Sequence, residues 1–307
     1  MADRPPGAPP PMPPSQHISP SRRDGMSAHD EKQRRRKTCF FIDECGVRLQ
    51  LPKLPVMTAQ CFFHKFFARE SFRRHDRFVV AQACLFLAAK VEESAVSLRS
   101  LVRECHGVRY AGKSRAPLDE SSERDVKRAV VMAERAVLYA RRGAIGFDVC
   151  VENPLLAFID LVNKLRAGDV LSEDLKQPFS QVGINFISDS YRTALCLEFP
   201  PQKIAAACAF LTVVFLRALP DDRPRTAALY GALAISERSL RSICTQMAEL
   251  YVENKKCARL LRDLAEMGHV PAELVRPAPR PPVPPSDSVA GVTPSPSVLS
   301  SSSSAGP

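Results

Sequence analysis

Residues 76–92 read DRFVVAQACLFLAAKVE, and from Phe78 to Ala89 every side chain except Gln82 is apolar or small. A helix of this composition has no face left for water, so the segment predicts a helix buried on every side. The run closes on one cation, Lys90, followed by Val91 and two acids. A second run, KIAAACAFLTVVF at 203–215, lies over VVAQACLFLAAKV at 79–91 and keeps the Cys-x-Phe-Leu frame. Val214 stands there in place of Lys90. Each run follows a long amphipathic helix and precedes a shorter helix and another long one. Two copies of a roughly five-helix unit, each around one buried central helix, account for the ordered region, with a period too long for a short-repeat solenoid. The expected fold is all-α.

The flanking segments carry helix signals of their own. Pro55 has the place of a first-turn proline ahead of TAQCFFHKFF. Ser122 is positioned to cap a helix running to about Arg142, with Val126, Val130, Ala133 and Val137 along one face. Asn153-Pro154 opens another, striped by Leu155, Ile159, Val162 and Leu165. Residues 172–195 and 201–217 give two more, and Ser236 caps the next, with Leu240, Ile243 and Met247 inward. A last piece after Asn254 carries Leu260, Leu261, Leu264 and Met267. Most of the 27 prolines sit at the two ends. Residues 1–28 and about 276–307 bury too little apolar area to offset ordering entropy and are read as disordered tails. Their Pro runs suit either an aromatic groove in a partner or a solvated tail. EKQRRRK at 31–37 fits a nuclear-import or RNA-binding patch and equally a solvated first turn of helix.

The 307 residues carry a net charge of +10, suited to a nucleus and to weak nucleic-acid contact. Trp is absent and Gly numbers only 13, which disfavours a turn-rich β fold. Cys39, Cys45, Cys61, Cys84, Cys196, Cys208 and Cys244, seven of ten cysteines, fall inside helical patterns, and no C-x-x-C occurs. They read as small buried thiols in a reducing compartment. No apolar leader opens the chain and no apolar run is long enough to span a bilayer, so no membrane partner is expected.

One enzymatic motif needs weighing. GVRYAGKS at 107–114 matches G-x-x-x-x-G-K-[ST], the phosphate cradle of P-loop nucleotidases, and LLAFID ending at Asp160 offers a magnesium partner. Such a loop must leave a buried strand and open an amphipathic helix. SLRSLVRECH before it has helical spacing, and RAPLDESSERD after it is polar and broken by Pro117. A chance match is preferred, with a P-loop ATPase as the enzyme-class alternative. No protein-kinase motif and no H-E-x-x-H occurs. His64 reads as a core or helix-edge histidine, and no cofactor or metal is expected.

Two charges stand in apolar rows. Lys90 lies four residues after Phe86, and Glu134 lies between Val130 and Leu138. An unpaired charge in such surroundings is costly, so each must reach water or a partner. Lys90 snorkelling at its helix C-terminus, with Glu134 at a wet helix edge, is one reading. The other pairs both with a docked protein, a task that the copy carrying Val214 lacks.

FIDECGVRLQLP, TAQCFFHKFF, CLFLAAKVEES and AERAVLYARRGAIGFDV together resemble the first cyclin box of the transcriptional cyclins of T and K type. The likeness is fullest over 31–165 and thinner over about 166–255, where it rests on LEFPPQKIAAACAFL. It implies two tandem five-helix cyclin boxes: a tail at 1–28, a first box at 29–150, a second at 151–255, a C-terminal helix at 256–275 and a tail at 276–307. It implies a regulatory subunit, not a catalyst, that binds and activates a cyclin-dependent kinase in the nucleus and promotes phosphorylation of the RNA polymerase II C-terminal domain. Lys90 and Glu134 match the family's kinase-contacting lysine and glutamate. Val91 and Leu138 would add apolar contact, and Phe147 would pack at the rim. The chain departs from the family in an apparent RRGA insertion ahead of Phe147, about one helical turn long. A splicing-linked cyclin of L type and a IIB-type cyclin-box transcription factor are the related alternatives. The second lacks its C-x-x-C zinc ribbon here.

Overall fold

The computed structural model describes residues 18–112, 118–139, 149–168, 170, 173–220 and 222–275. Among them there is no strand. The first helices are α1 (Pro20–Arg23), α2 (Ala28–Arg48), α3 (Lys53–Arg69), α4 (Arg77–Val91), α5 (Leu98–Arg109) and α6 (Glu120–Tyr139). Next come α7 (Pro154–Ala167), α8 (Lys176–Ser190), α9 (Leu195–Glu198), α10 (Pro201–Leu216), α11 (Arg223–Leu233), α12 (Glu237–Tyr251) and α13 (Ala258–Glu266).

The stretch quoted first becomes α4, and it is the centre of the first half. The Asp76 carboxylate starts it by accepting from the Phe78 and Val79 N–H groups at 2.7 and 3.4 Å. Helices α2, α3, α5 and α6 pack around it. Ala81, Ala83, Cys84 and Ala88 are fully buried, small enough to let neighbouring backbones approach. Phe62, Phe63, Phe66 and Phe67 of α3 fill the space beside it, and the Phe67 and Phe72 rings stack 3.7 Å apart. Helix α10 plays the same part in a second apolar cluster, wrapped by α7, α8, α11, α12 and α13. Leu260, Leu261 and Leu264 of α13 belong to that cluster.

The internal duplication extends to the backbone. Moving from 79 to 203 superposes α2, α3, α4 and α5 in register on α7, α8, α10 and α11. Both central helices end alike. After α4, Glu93 adopts φ 52°, its N–H bonds to Lys90 O at 3.3 Å, and Ser94 N–H reaches Ala89 O at 2.8 Å. After α10, Arg217 adopts φ 56°, its N–H bonds to Val214 O at 3.2 Å, and Ala218 N–H reaches Val213 O at 2.8 Å. This is the left-handed stop that satisfies orphan helix carbonyls, made here by side-chain-bearing residues instead of glycine.

Four sequence expectations are corrected. Part of the assigned tail is ordered: α1 follows a Ser19 cap, Ser21 Oγ accepts from Phe72 N–H at 3.0 Å, and Met26 enters the first cluster. A four-residue helix is too short to leave a periodic pattern. The cap of α6 is Asp119, which accepts from Ser122 N–H at 3.1 Å, so the helix starts at Glu120. Residues 172–195 do not form one helix. A 3₁₀ turn (Glu173–Leu175) precedes α8, which ends at Ser190, and α9 is separate. There the Ser190 and Thr193 hydroxyls donate to the Ile187 and Ser190 carbonyls, a local alternative to helical bonding. Last, the basic run at 31–37 is solvated only in part, at Lys32, Arg34 and Lys37. Glu31 and Arg35 are buried, and Arg35 donates to Glu31 Oε1 at 2.8 Å and to Phe67 O at 2.7 Å. Lys32 pairs with Glu249, and Arg36 donates to Leu250 O at 2.8 Å, tying α2 to α12. Residues 1–17 and 276–307 lie outside the described residues.

His64 joins the two halves. It is fully buried; Nε2 donates to Tyr191 O at 2.8 Å, 3.2 Å from Cys39 Sγ, while Nδ1 faces an Arg35 guanidinium nitrogen at 3.5 Å. Burial, and then the Arg35 charge, hold the imidazole down to about 3, so it is neutral in the folded protein.

Candidate functional site

The last turn of α4 and the second half of α6 lie side by side. Lys90 Nζ donates to Glu134 Oε1 at 2.6 Å. Helix α6 places Val130, Glu134 and Val137 on the buried side that faces α4, which is why a carboxylate from α6 meets an ammonium from α4. The same ammonium sits 4.0 Å from the centroid of the Phe86 ring, one turn back along α4. The Lys90 side chain is 51% exposed and that of Glu134 only 12%. The cation therefore stands at the surface, bracketed by a carboxylate below and a ring beside it.

This arrangement corrects one step of the sequence reading. The two charges are not stranded, because they neutralise each other within the chain. The need for a second protein does not follow from their cost. What the geometry offers is a fixed, surface-facing ammonium with hydrogen-bond donors to spare. Val91 and Leu138 are half-buried beside it and pack against the first apolar cluster. Phe147 and the RRGA segment lie outside the described residues. Glu92, next to Val91, accepts from Thr58 Oγ1 of α3 at 2.7 Å, which anchors the turn after α4. Phe86 was not singled out as a site residue, although its spacing of four from Lys90 is the signal that identifies it.

In the second half the equivalent position is closed. Val214 is 3% exposed and lies within the second apolar cluster. At the start of α6, Glu123 collects Lys127, Arg103 (2.8 Å) and Arg99 (3.5 Å). The Lys127 and Arg103 hydrogen bonds hold its carboxyl down to about 2.

The nucleotide-binding alternative fails on placement. Gly107, Val108 and Arg109 lie inside α5, where a P-loop enzyme needs a loop leaving a strand, and Asp160 lies inside α7, where it needs a strand end. Lys113 and Ser114 lie outside the described residues. His64 is a core residue, as expected. Among the described residues no cluster of His, Cys, Asp or Glu is placed to hold a metal ion, and no helix is long and apolar enough to cross a membrane.

Comparison with known proteins agrees with this architecture. The family described as "Cyclin, N-terminal domain" matches residues 12–139. Cyclin-T1-3 of Oryza sativa subsp. japonica is 32% identical over 240 residues, 76% of this chain and 46% of that protein. Cyclin-L1 of Homo sapiens is 31% identical over 252 residues, 81% of this chain and 45% of that protein. The chain thus spans under half the length of these relatives. A chain of the yeast RNA Pol II CTD kinase CTDK-1 complex shares the fold, with a TM-score of 0.60 at 17% identity, covering 77% of this chain and 71% of that one. Two buried central helices in duplicated all-α units, a surface lysine ending only the first, and these likenesses together support a transcriptional cyclin-box protein of the T/K/L type.

Proposed function

We propose that this chain is the regulatory partner of a transcriptional cyclin-dependent kinase and that it promotes phosphorylation of the RNA polymerase II C-terminal domain in the nucleus. The observation that carries the reading is the Lys90–Glu134 pair at the exposed end of α4, set against the buried Val214 at the equivalent end of α10. Lys90 has the position and free donors to bind backbone carbonyls of the kinase's regulatory helix, while Glu134 holds it in place. Val91 and Leu138 supply apolar contact around it. Pressed inward, the kinase helix completes the kinase's internal Lys–Glu ion pair and orders its activation loop. The names of the relatives and of the fold neighbour support this class of partner.

A second reading, a splicing-linked cyclin of L type, is favoured by the 252-residue match to human Cyclin-L1. Both readings place the same pair against a kinase. RNA binding through 31–37 has little support, since the charges of Lys32, Arg35 and Arg36 are engaged inside the protein.

The test is affinity purification of the chain from nuclear extract, identification of bound kinases by mass spectrometry, and reconstitution of the pair on C-terminal-domain repeat peptides. Phosphate transfer should depend on both proteins. Absence of any co-purifying cyclin-dependent kinase, or a reconstituted pair no more active than the kinase alone, refutes the proposal.

A further inference from the structure

Five arginines converge on one cleft at the opposite end of α4 from Lys90. Arg34 comes from α2, Arg73 and Arg74 from the turn after α3, Arg77 from the first turn of α4 and Arg109 from the last turn of α5. With Phe78 they border a volume of about 440 Å³. Three carboxylates stand near these five cations, Glu70 among them, close enough to act on the Arg74 charge. Asp24 takes Arg74 through two bonds of 2.9 and 3.0 Å. Asp76 caps α4 and lies 3.6 Å from Arg109. The Arg73 guanidinium spends one contact on Gly25 O at 3.3 Å. Positive charge therefore remains in excess. Its effect reaches Arg77, whose pKa is lowered first by burial and then by the Arg34 charge, opposed by Asp76, with a smaller lowering from Arg109.

The cationic groups are also fixed in advance. The Arg77 and Arg109 guanidiniums lie 4.7 and 4.3 Å from the centroid of the Phe78 ring. That ring is held edge-on against Phe41, with centroids 5.0 Å apart and planes at 82°. Guanidiniums stacked on an immobilised ring lose little freedom when a ligand arrives. The positive end of the α4 macrodipole adds to the field at the same place. Arginine presents planar forks of donors that match phosphate oxygens.

We propose that this cleft binds the phosphate of a phosphoserine or phosphothreonine on a partner polypeptide. The donors border one small volume, which suits a compact phosphomonoester better than an extended nucleic-acid backbone. A single-stranded nucleic acid also needs bare aromatic faces for base stacking, and two guanidiniums already lie over Phe78. Lys90 lies thirteen positions after Arg77 along α4, roughly 20 Å at helical rise. A protein docked at the Lys90 end leaves the cleft open. Phosphopeptide binding stands on the cleft alone. Its use to hold an already phosphorylated substrate near a kinase rests on the function proposed above.

The test is fluorescence anisotropy on the full chain without kinase, with a labelled peptide carrying one phosphoserine among neutral residues. We expect saturable binding, at least tenfold tighter than for the unphosphorylated peptide. The pair Arg77→Gln and Arg109→Gln should weaken it roughly tenfold or more, the size of one or more charge-assisted hydrogen bonds. Arg34→Gln, on the exposed face of α2, should weaken it severalfold, and Arg241→Gln, paired with Glu237 on α12, should leave it unchanged. Thermal melts check that the variants fold, and Arg34→Gln decides the matter if the pair does not. Equal binding of both peptides, unchanged binding in the cleft variants, or single-stranded RNA that displaces the phosphopeptide and binds more tightly at the same salt would overturn the proposal. Phosphopeptide binding by a chain that captures no kinase would sustain the cleft while removing the proposed function.

Discussion

Replacing Lys90 by alanine separates two quantities that the structure makes very different. Within the free protein, Lys90 is half exposed and gains from Glu134 at 2.6 Å and the Phe86 ring at 4.0 Å. A partly solvated ion pair contributes up to about 1 kcal/mol, and the ring contact about 0.5–1 kcal/mol. Lys90→Ala should therefore cost at most about 2 kcal/mol of stability, a fall in Tm of roughly 4–8 °C for a chain of this size. If a kinase docks on this face as proposed, the same ammonium is desolvated. Truncating one member of a buried, hydrogen-bonded charge pair costs about 2–5 kcal/mol, or about thirtyfold to several thousandfold in Kd. The assay is titration of immobilised cyclin variants with a purified transcriptional cyclin-dependent kinase, alongside calorimetric melts. Glu134→Ala should weaken capture by a similar factor. The double variant should lose less than the sum, since both residues act through one contact. If both single variants bind within fivefold of the parent while their melts shift as expected, the pair is a structural staple and the docking face lies elsewhere.

Val214→Ala removes two buried methyl groups and should cost about 2 kcal/mol in urea unfolding while changing kinase capture less than twofold. His64 is neutral in the fold, with its pKa held down to about 3. An unfolded histidine protonates near 6.5, so its contribution is complete above that pH and is lost progressively as pH falls from there towards about 3, at about 1.4 kcal/mol per pH unit. His64→Gln should flatten that slope in acid titrations followed by circular dichroism. A Cβ at Gly183 would lie 1.9 Å from Phe158 Cζ, so Gly183→Ala should destabilise by about 1–3 kcal/mol through overpacking of α7 on α8, measured by thermal melt. Arg35→Ala leaves Glu31 buried without its cation and should cost about 3–5 kcal/mol, with Arg35→Lys recovering only part because it cannot span the Glu31 carboxylate and the Phe67 carbonyl together.

Long segments with an unbroken apolar stripe were legible in the sequence because burial is written into composition. Helices α4 and α10 needed no more than that, and Asn153 and Ser236 announced their caps, accepting from Leu155 and Ser239 N–H at 2.8 and 3.4 Å. What escaped was decided by contacts distant along the chain. Ser21 is ordered by Phe72, Lys32 by Glu249, and Arg36 by a carbonyl on α12. No local window contains both members of such a pair. The Arg34–Arg109 cleft escaped for the same reason, since its cations come from four segments that meet only in the fold. The break at Ser190 escaped because a hydroxyl that bonds backward is indistinguishable in sequence from one that faces solvent.

The Lys90 site shows how far composition alone reaches. Spacing placed Lys90 beside Phe86 and made Glu134 an anomaly in an apolar row, but only the fold revealed that each answers the other. The more telling comparison is between the duplicated units. Both central helices stop with the same left-handed residue and the same pair of backbone bonds, so the backbone at 90 and 214 is equivalent and the difference lies in what surrounds the side chain. At 214 the surroundings are the second core, where an ammonium would have neither water nor a carboxylate and would cost several kcal/mol. At 90 the helix end opens to solvent with Glu134 already in place. The duplication therefore supplies its own control: one scaffold, two copies, and of the two only the first retains an accessible cationic terminus.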